Sequence, residues 1–411
     1  MNNLILTWKN LIHRPLSLLL NVLLFALGVG LISLLIQVNT QLKEQFDRNQ
    51  ADINMVVGAK GSPLQMILSS MYHIDNPTGN INIGEAKPFL NPQHPYLKTS
   101  IPLSLGDSYQ KYRIIGTTPE FVELYSAEIS EGRLWEQAFD VVIGMAVAES
   151  SDLKIGSEFN SSHGFNDDEG MEHEHHTQFK VVGILEPSGS VIDQLILTSP
   201  NTIWAVHEHD HATDTISNIL DNQELMKYED KDITTILIQF KNAKSVPALN
   251  MPRAINENTD LLAANPVYEI NRLYAMVGVG AETLRYLAFI LIAVSAFSVF
   301  ISLYNSLKDR KYELAVMRVL GGGRGRLFSM IILEGLLIAL LGTLLGLVLA
   351  HVGMFFVAKG MEGAYRYSFT GSRFFIEEAY LVLGAMIIGI LAALIPAIMA
   401  ARTEIHSTLN H

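Results

Sequence analysis

Apolar stretches alternate along this chain with polar, turn-rich ones, and their lengths fall into two classes. Pro15 to Leu42 contains no charged residue, and its centre reads LSLLLNVLLFALGVGLISLLI. Tyr286 to Leu307 is a second charge-free run, Leu327 to Ala358 is broken only by Glu334, and Ala379 to Ala401 is a fourth. A helix crossing the hydrocarbon core of a bilayer needs ~20 consecutive apolar residues. Four such runs in one chain predict transmembrane helices at 15–42, 284–307, 327–358 and 379–401. The first is read as an uncleaved anchor. Its apolar part exceeds the ~7–15 residues of a signal-peptide core, and Gln37-Val38-Asn39-Thr40 offers no small-x-small cleavage site.

The shorter apolar runs lie between the first and second spans. Residues 112–117, 139–144, 178–185, 195–199 and 232–240 are rich in β-branched residues and bounded by Gly, Pro and Asp, the pattern of strands. Pro119–Tyr125 and Pro200–Val206 read as helices with proline in the first turn. Residues 75–97 hold four prolines and predict a loop or subdomain join. Polar helical stretches at 38–50 and 270–285 would extend the neighbouring spans as stalks. The expected fold class is a polytopic α-helical membrane protein with four transmembrane helices. A large α+β extracytoplasmic domain, 43–283, separates helices 1 and 2.

Charge follows the same division. The 411 residues carry a formal net charge of −12, but 41–283 account for −18 and the remainder for +6. Such a chain is neither a single soluble enzyme domain nor a disordered one, and it lacks the basic stripes of a nucleic-acid binder. Lys9 and Arg14 precede the first span, Arg402 follows the last, and Lys308, Arg310, Lys311, Arg318, Arg324 and Arg326 fill the link between spans two and three. Positive charge marks the cytoplasmic side. This places 1–14, 308–326 and the tail 402–411 in the cytoplasm, and the domain and the loop 359–378 outside. Lys359, Arg366 and Arg373 in that loop run mildly against the rule. There is no cysteine, hence no disulfide framework and no thiolate metal site.

The basic link, NSLKDRKYELAVMRVLGGGRGRLFSMIILEG from Asn305 to Gly335, predicts a short helix over Lys308 to Leu320. Leu307, Leu314, Met317 and Leu320 recur at helical spacing, giving an amphipathic face for a partner's groove or the membrane surface. An ordinary positive-inside anchor is the plainer alternative. Arg310 and Glu313 stand three apart, close enough to pair. Glu334 lies inside the third span, where a carboxylate faces other helices or water. Two readings stand for it: a functional group, or a structural partner for a helix-end residue. Gly28 and Gly30, Gly342 and Gly346, and Gly384 and Gly389 are candidate close-packing positions.

This link resembles the signature of the FtsX-like (MacB-type) permease family of ABC transport systems. That signature is an Asn, an Arg-x-x-Glu-x-Ala-x-x-Arg core and a glycine turn, matched here by Asn305, Arg310, Glu313, Ala315, Arg318 and Gly321. Three glycines stand where one or two small residues are usual. IPAIMAAR (395–402) is similar to the family's exit from the last span. EGRLW (131–135), VVIGMAVAESSDLKIGSEF (141–159) and FKVVGIL (179–185) resemble its periplasmic core domain. The resemblance implies a non-catalytic permease subunit in the bacterial inner membrane, both termini cytoplasmic, transmitting ATP-driven motion to the outer domain. It further implies a cytoplasmic ABC ATPase dimer that itself binds ATP and Mg and couples to this chain at Asn305, Arg310, Glu313, Arg318 and Gly321, a second permease chain forming a homodimer, and a periplasmic binding or adaptor protein. The chain has no P-loop, since neither Gly58-Ala-Lys-Gly61-Ser nor Gly321-Gly-Gly-Arg-Gly325 has the spacing that cradles phosphates. Lipoprotein release, peptide or drug export and control of a cell-wall hydrolase all occur on this scaffold. A regulatory module of the envelope is therefore an alternative to a transporter.

Seven of the 13 histidines fall between 163 and 211: His163, His173, His175, His176, His207, His209 and His211. Interleaved with acids, they suit zinc or another divalent metal, and equally a solvated acidic loop. His207, Glu208 and His211 formally satisfy His-Glu-x-x-His, which keeps an outer-face zinc metallopeptidase as a minor alternative. The histidines motivate a metal-linked process.

Overall fold

The computed structural model describes residues 3–163, 178–207, 221–365 and 369–402. The segment ahead of the first span is a helix, α1 (Asn3–Ile12), with Thr7 and Leu11 buried and Leu4, Ile5, Trp8 and Ile12 exposed. It stops at His13-Arg14, because Arg14 precedes a proline and is biased away from helical backbone. Pro15 then opens α2 (Pro15–Asn49), taking the first helical position where its missing N–H costs nothing.

The inserted domain follows in chain order: β1 (Met55–Ala59), α3 (Pro63–Met71), β2 (Ile81–Asn82), α4 (Ile83–Leu90), β3 (Leu97–Tyr109), β4 (Tyr112–Thr117), α5 (Glu120–Leu124), β5 (Ile129–Gly132), β6 (Asp140–Ile143) and α6 (Met145–Ser151). Then come β7 (Glu158–Asn160), β8 (Ser162–His163), β9 (Gln178–Leu185), β10 (Leu195–Thr198), α7 (Pro200–His207), α8 (Asn222–Leu225), β11 (Asp232–Ile233), β12 (Thr235–Phe240), α9 (Val246–Asn258) and β13 (Leu261–Ala264). One mixed sheet runs β13-β1-β12-β3-β4-β10-β6-β9-β5, with β7 beside β9 and β8 beside β3. The β10–β4 and β6–β9 pairs are parallel and the other pairs antiparallel. Helices cover the sheet, so β4 is buried along its whole length. One apolar core centres on Val57, Ile236 and Ile238, another on Ile114, Val141, Phe179 and Ile196.

Three departures from the sequence pattern have local causes. The run 232–240 is split at Thr234, whose hydroxyl accepts the Leu105 N–H at 2.9 Å and bonds Asn80 Oδ1 at 3.1 Å. The proline-rich 75–97 stretch contains β2 and α4 rather than loop alone, with Asn82 Oδ1 capping α4 at Gly84 N, 2.9 Å away. β3 is central to the sheet although Pro102, Ser104, Gly106 and Asp107 make it read as turn; pairing with β12 and β4 overrides that composition.

The EGRLW segment shows why a glycine stands at its second place. Gly132 adopts φ +86°, and a Cβ there would sit 2.1 Å from the Val182 carbonyl oxygen. This backbone turn brings Arg133 to Asp140 (2.9 Å) and buries Trp135. Gly132→Ala is expected to destabilise the domain by more than about 1 kcal/mol, since strain and a backbone clash add. A thermal midpoint equal to that of the parent would refute this.

Past the domain lie α10 (Pro266–Asp309), α11 (Lys311–Val319), α12 (Arg324–Tyr365) and α13 (Ile376–Ala401). Helices α2, α10, α12 and α13 are long and apolar enough to cross a membrane. With the mixed α/β domain between the first two, this is the expected fold class. The chain divides into two compact units, Met1–Lys43 with Met276–His411, and Glu44–Ala275. Within the helical unit, Val299, Leu303, Met330, Ile331, Ile338 and Ala397 form the core. Phe289, Phe297, Phe356, Leu383 and Leu391 point away from it, as side chains facing lipid do. Glycines let helices approach at two points: a Cβ on Gly30 would lie 3.0 Å from the Gly346 carbonyl oxygen, and one on Gly335 2.8 Å from that of Gly389.

Candidate functional site

The link between the second and third spans is built around two breaks in helix, at Arg310 and at 320–323. α10 ends at Asp309, and Arg310 (φ −104°, ψ 11°) leaves helical geometry before α11 starts. α11 is closed by Gly321 at φ +96°, with Gly321 N bonding the Arg318 carbonyl (3.1 Å) and Gly322 N the Met317 carbonyl (2.8 Å). That is the glycine-terminated helix end in which only a residue without Cβ adopts the left-handed turn cheaply. A Cβ on Gly322 would meet the Met317 carbonyl oxygen at 2.7 Å. Two of the three glycines are thus explained by backbone geometry.

Arg310 does not pair with Glu313. Leaving the helix at its N-cap, it turns inward to Glu334 Oε1 at 3.3 Å and donates to the Asn10 carbonyl at 3.0 Å. Asn10 Nδ2 donates to the same Glu334 oxygen at 3.2 Å. The Arg310 and Glu334 side chains are 14% and 2% exposed, so the pair is largely withdrawn from water. Arg14 pairs with Asp309 beside it. A cavity of about 20 Å³, lined by Asn10, Arg14, Ser17, Asn21, Ser306 and Glu334 among others, adjoins the cluster. It has room for about one water. Deeper in the bundle, Ser17 bonds Ser302 (2.7 Å) and Ser298 bonds Asn21 (2.7 Å), so these polar groups face each other across α2 and α10.

Glu334 is therefore the partner of a helix-end residue, one of the two readings its sequence position allowed. The apolar residues expected to form a docking face divide differently. Leu307 and Leu314 are buried in this chain's own core, with Met317 packed partly against it, while Leu320 is 82% exposed. The outward surface of α11 instead carries Lys311, Tyr312, Glu313 and Val319, continuing into Leu320. Asn305 is exposed one turn before the break. The pattern of the link alone did not reveal Asn10, which lies near the N-terminus, nor Tyr312 and Val319, which fall off the assumed apolar stripe.

Of the histidines, His163 lies in β8, opposite Asp107 of β3, and His207 ends α7. His173, His175, His176, His209 and His211 lie outside the described residues. Among the described residues no group of three or more His, Asp or Glu side chains is placed to hold a metal.

No curated protein gives a significant sequence match. The FtsX-like permease C-terminal family model matches residues 286–405, and the MacB-like periplasmic core domain model matches residues 18–251, more than half of the chain. The chain belongs to the MacB-type, FtsX-like permeases. The FtsX-like match contains Arg310, α11 and Glu334, while Asn10, the other partner of Arg310, lies outside it. Among solved structures, this permease is similar to the periplasmic region of MacB from Actinobacillus actinomycetemcomitans, at 12% identity over 55% of this chain and 94% of that one, with a TM-score of 0.32. It is also similar to the extracellular domain of the noncanonic ABC-type transporter YknZ from Gram-positive bacteria, at 11% identity over 52% and 100%, with a TM-score of 0.29.

Proposed function

We propose that this permease subunit transmits ATP-driven motion from a separate cytoplasmic ATPase dimer to its own inserted domain. The observation that carries the proposal is the anchoring of α11 through Arg310 to Glu334 in α12 and to Asn10 in α1. A short helix held only by flexible loops would move without consequence. One whose N-cap is ion-paired inside the bundle passes a push on its outer face to the spans. That face, with Lys311, Tyr312, Glu313, Val319 and Leu320 and with the half-buried Arg318 at its edge, offers the ATPase an apolar centre bordered by charge, the usual make-up of an interface core and rim. On this reading α11 and both termini are cytoplasmic, the membrane is the bacterial inner membrane, and the α/β domain is periplasmic. Two copies of the chain sit over the ATPase pair and a periplasmic protein meets the domain. The chain performs no reaction itself.

A zinc-linked role, an envelope-regulating role and a metallopeptidase draw no support from the described residues. The metal idea rests on histidine composition. Titration calorimetry of the full chain with zinc decides it: binding no tighter than millimolar removes it.

The coupling assignment makes a direct prediction. Glu313→Lys and Arg318→Glu are expected to lower permease-stimulated ATP hydrolysis at least about tenfold, a loss of roughly 1.4 kcal/mol at the interface. Full stimulation with unchanged ATPase binding in both variants would sink it.

A further inference from the structure

A second buried polar set lies at the far end of the helical unit's spans, and nothing in the coupling site uses it. Glu378, in the first turn of α13, is 3% exposed. Its Oε2 accepts the Phe375 N–H at 3.1 Å. Its Oε1 accepts the Ser33 hydroxyl at 2.5 Å and the Gln37 amide at 3.0 Å, both from α2. His351 of α12 brings Nε2 to 3.8 Å from that oxygen, its ring edge-on to Phe374 at 4.3 Å. Three membrane-spanning helices therefore converge on one carboxylate.

The loop ahead of α13 is pressed onto this point. Gln41 exchanges two hydrogen bonds with the Thr370 backbone, at 2.8 and 2.9 Å. A Cβ on Gly371 would lie 2.5 Å from the His351 carbonyl oxygen.

The set is incomplete as it stands. Both ring nitrogens of His351 and the Gln37 Oε1 are buried with no hydrogen-bond partner. Buried polar groups are nearly always satisfied, so orphaned ones call for an explanation. Among the described residues, His351 is the one basic group within ion-pair distance of Glu378. From the other packed elements, α2 presents uncharged Ser33 and Gln37, the Arg373 guanidinium lies over the Phe375 ring at 5.3 Å, and Glu377 and Lys359 are exposed.

We propose that His351 and Glu378 form a proton-binding site that clamps α2, α12 and α13 together. A proton on His351 Nε2 places a cation against a desolvated carboxylate and converts the 3.8 Å contact into a charged hydrogen bond. Such bonds are shorter and about twice as strong as neutral ones. Through Ser33 and Gln37 the same oxygen carries the clamp to α2. Loss of the proton leaves the buried carboxylate without a cation and loosens the three helices. Ionisable groups at membrane depth are retained for function more often than for stability. The clamp does not depend on how the ATPase engages α11.

The test uses the full chain in lipid nanodiscs, whose lack of native cysteine allows direct labelling. Spin labels go on Asn39→Cys and Tyr380→Cys, both at exposed positions. The α2–α13 distance distribution is then measured between about pH 5 and about pH 8. One linked proton changes the ratio of two populations by up to about tenfold per pH unit. The expected result is a short-distance population that grows as pH falls, at least about fivefold over the range. That change is expected to vanish in Glu378→Gln and in His351→Gln, and to persist, weakened, in Glu378→Asp. A distribution independent of pH in the parent overturns the proposal. So does an unaltered pH response in whichever of the two neutral variants folds.

Discussion

Arg310→Met is expected to lower the stability of the helical unit by about 3–5 kcal/mol, the usual cost of leaving a buried charge without its partner. Glu334 is 2% exposed, and once Arg310 is gone its oxygen keeps only the Asn10 amide. Glu334→Leu mirrors the defect, stranding the guanidinium. The double variant Arg310→Met/Glu334→Leu is the informative one. Replacing a whole buried ion pair by apolar groups of similar size is often neutral or stabilising, so the detergent-solubilised double variant should unfold near the parent's temperature. ATPase stimulation should nevertheless stay low in it, because the charged hinge that ties α11 to α12 and α1 is gone. Recovery of both stability and stimulation would reduce Arg310 to a packing element.

A leucine at Gly346 or Gly389 should disrupt the bundle almost as severely. A Cβ at Gly346 would approach the Ala26 carbonyl oxygen to 2.8 Å and the Gly30 nitrogen to 3.1 Å. One at Gly389 would meet the Ala339 Cβ at 2.5 Å and the Gly335 carbonyl oxygen at 3.1 Å. Backbone atoms cannot swing aside, so the helices must separate. Overpacking a tight contact costs roughly 1–3 kcal/mol, and opening α2 from α12 also exposes Phe25 and Val29. Gly384→Leu is the control: nothing lies within 4 Å of a Cβ there, so stability should be unchanged. Size-exclusion profiles and thermal midpoints of the three variants check the set. Equal behaviour of all three would contradict the assigned packing.

The glycines show how far sequence carried the fold. Gly342 and Gly346 share a helical face, and both pack on α2 as their spacing suggests. Gly384 and Gly389 stand five apart, about 140° around the helix, so they face different ways: Gly389 packs on Gly335, while among the described residues nothing lies within 4 Å of a Cβ at Gly384. The four spans were legible because bilayer thickness demands a length no other element needs. Strands β4, β6, β9 and β10 were legible from β-branched runs. β3 was not, since its Pro, Ser, Gly and Asp residues are tolerated only through neighbours distant in sequence. At the site, the order of residues from Asn305 to Gly321 pointed to the family. The assumed single helix, however, hid the break at Arg310, and with it the contact to Glu334 and Asn10, 24 and 300 residues away. Glu378 read as one acid of an outer loop, because Ser33, Gln37 and His351 reach it only in three dimensions.

The most direct test of the coupling reading places spin labels at Leu249→Cys, 67% exposed on α9, in two copies of the full chain assembled with their ATPase in nanodiscs. The interprotomer distance is compared with and without trapped nucleotide, in the parent and in Arg310→Met/Glu334→Leu. The expected result is a nucleotide-dependent shift in the parent that disappears in the double variant while the ATPase stays bound. An identical shift in both proteins would show that motion reaches the domain without the Arg310 anchor.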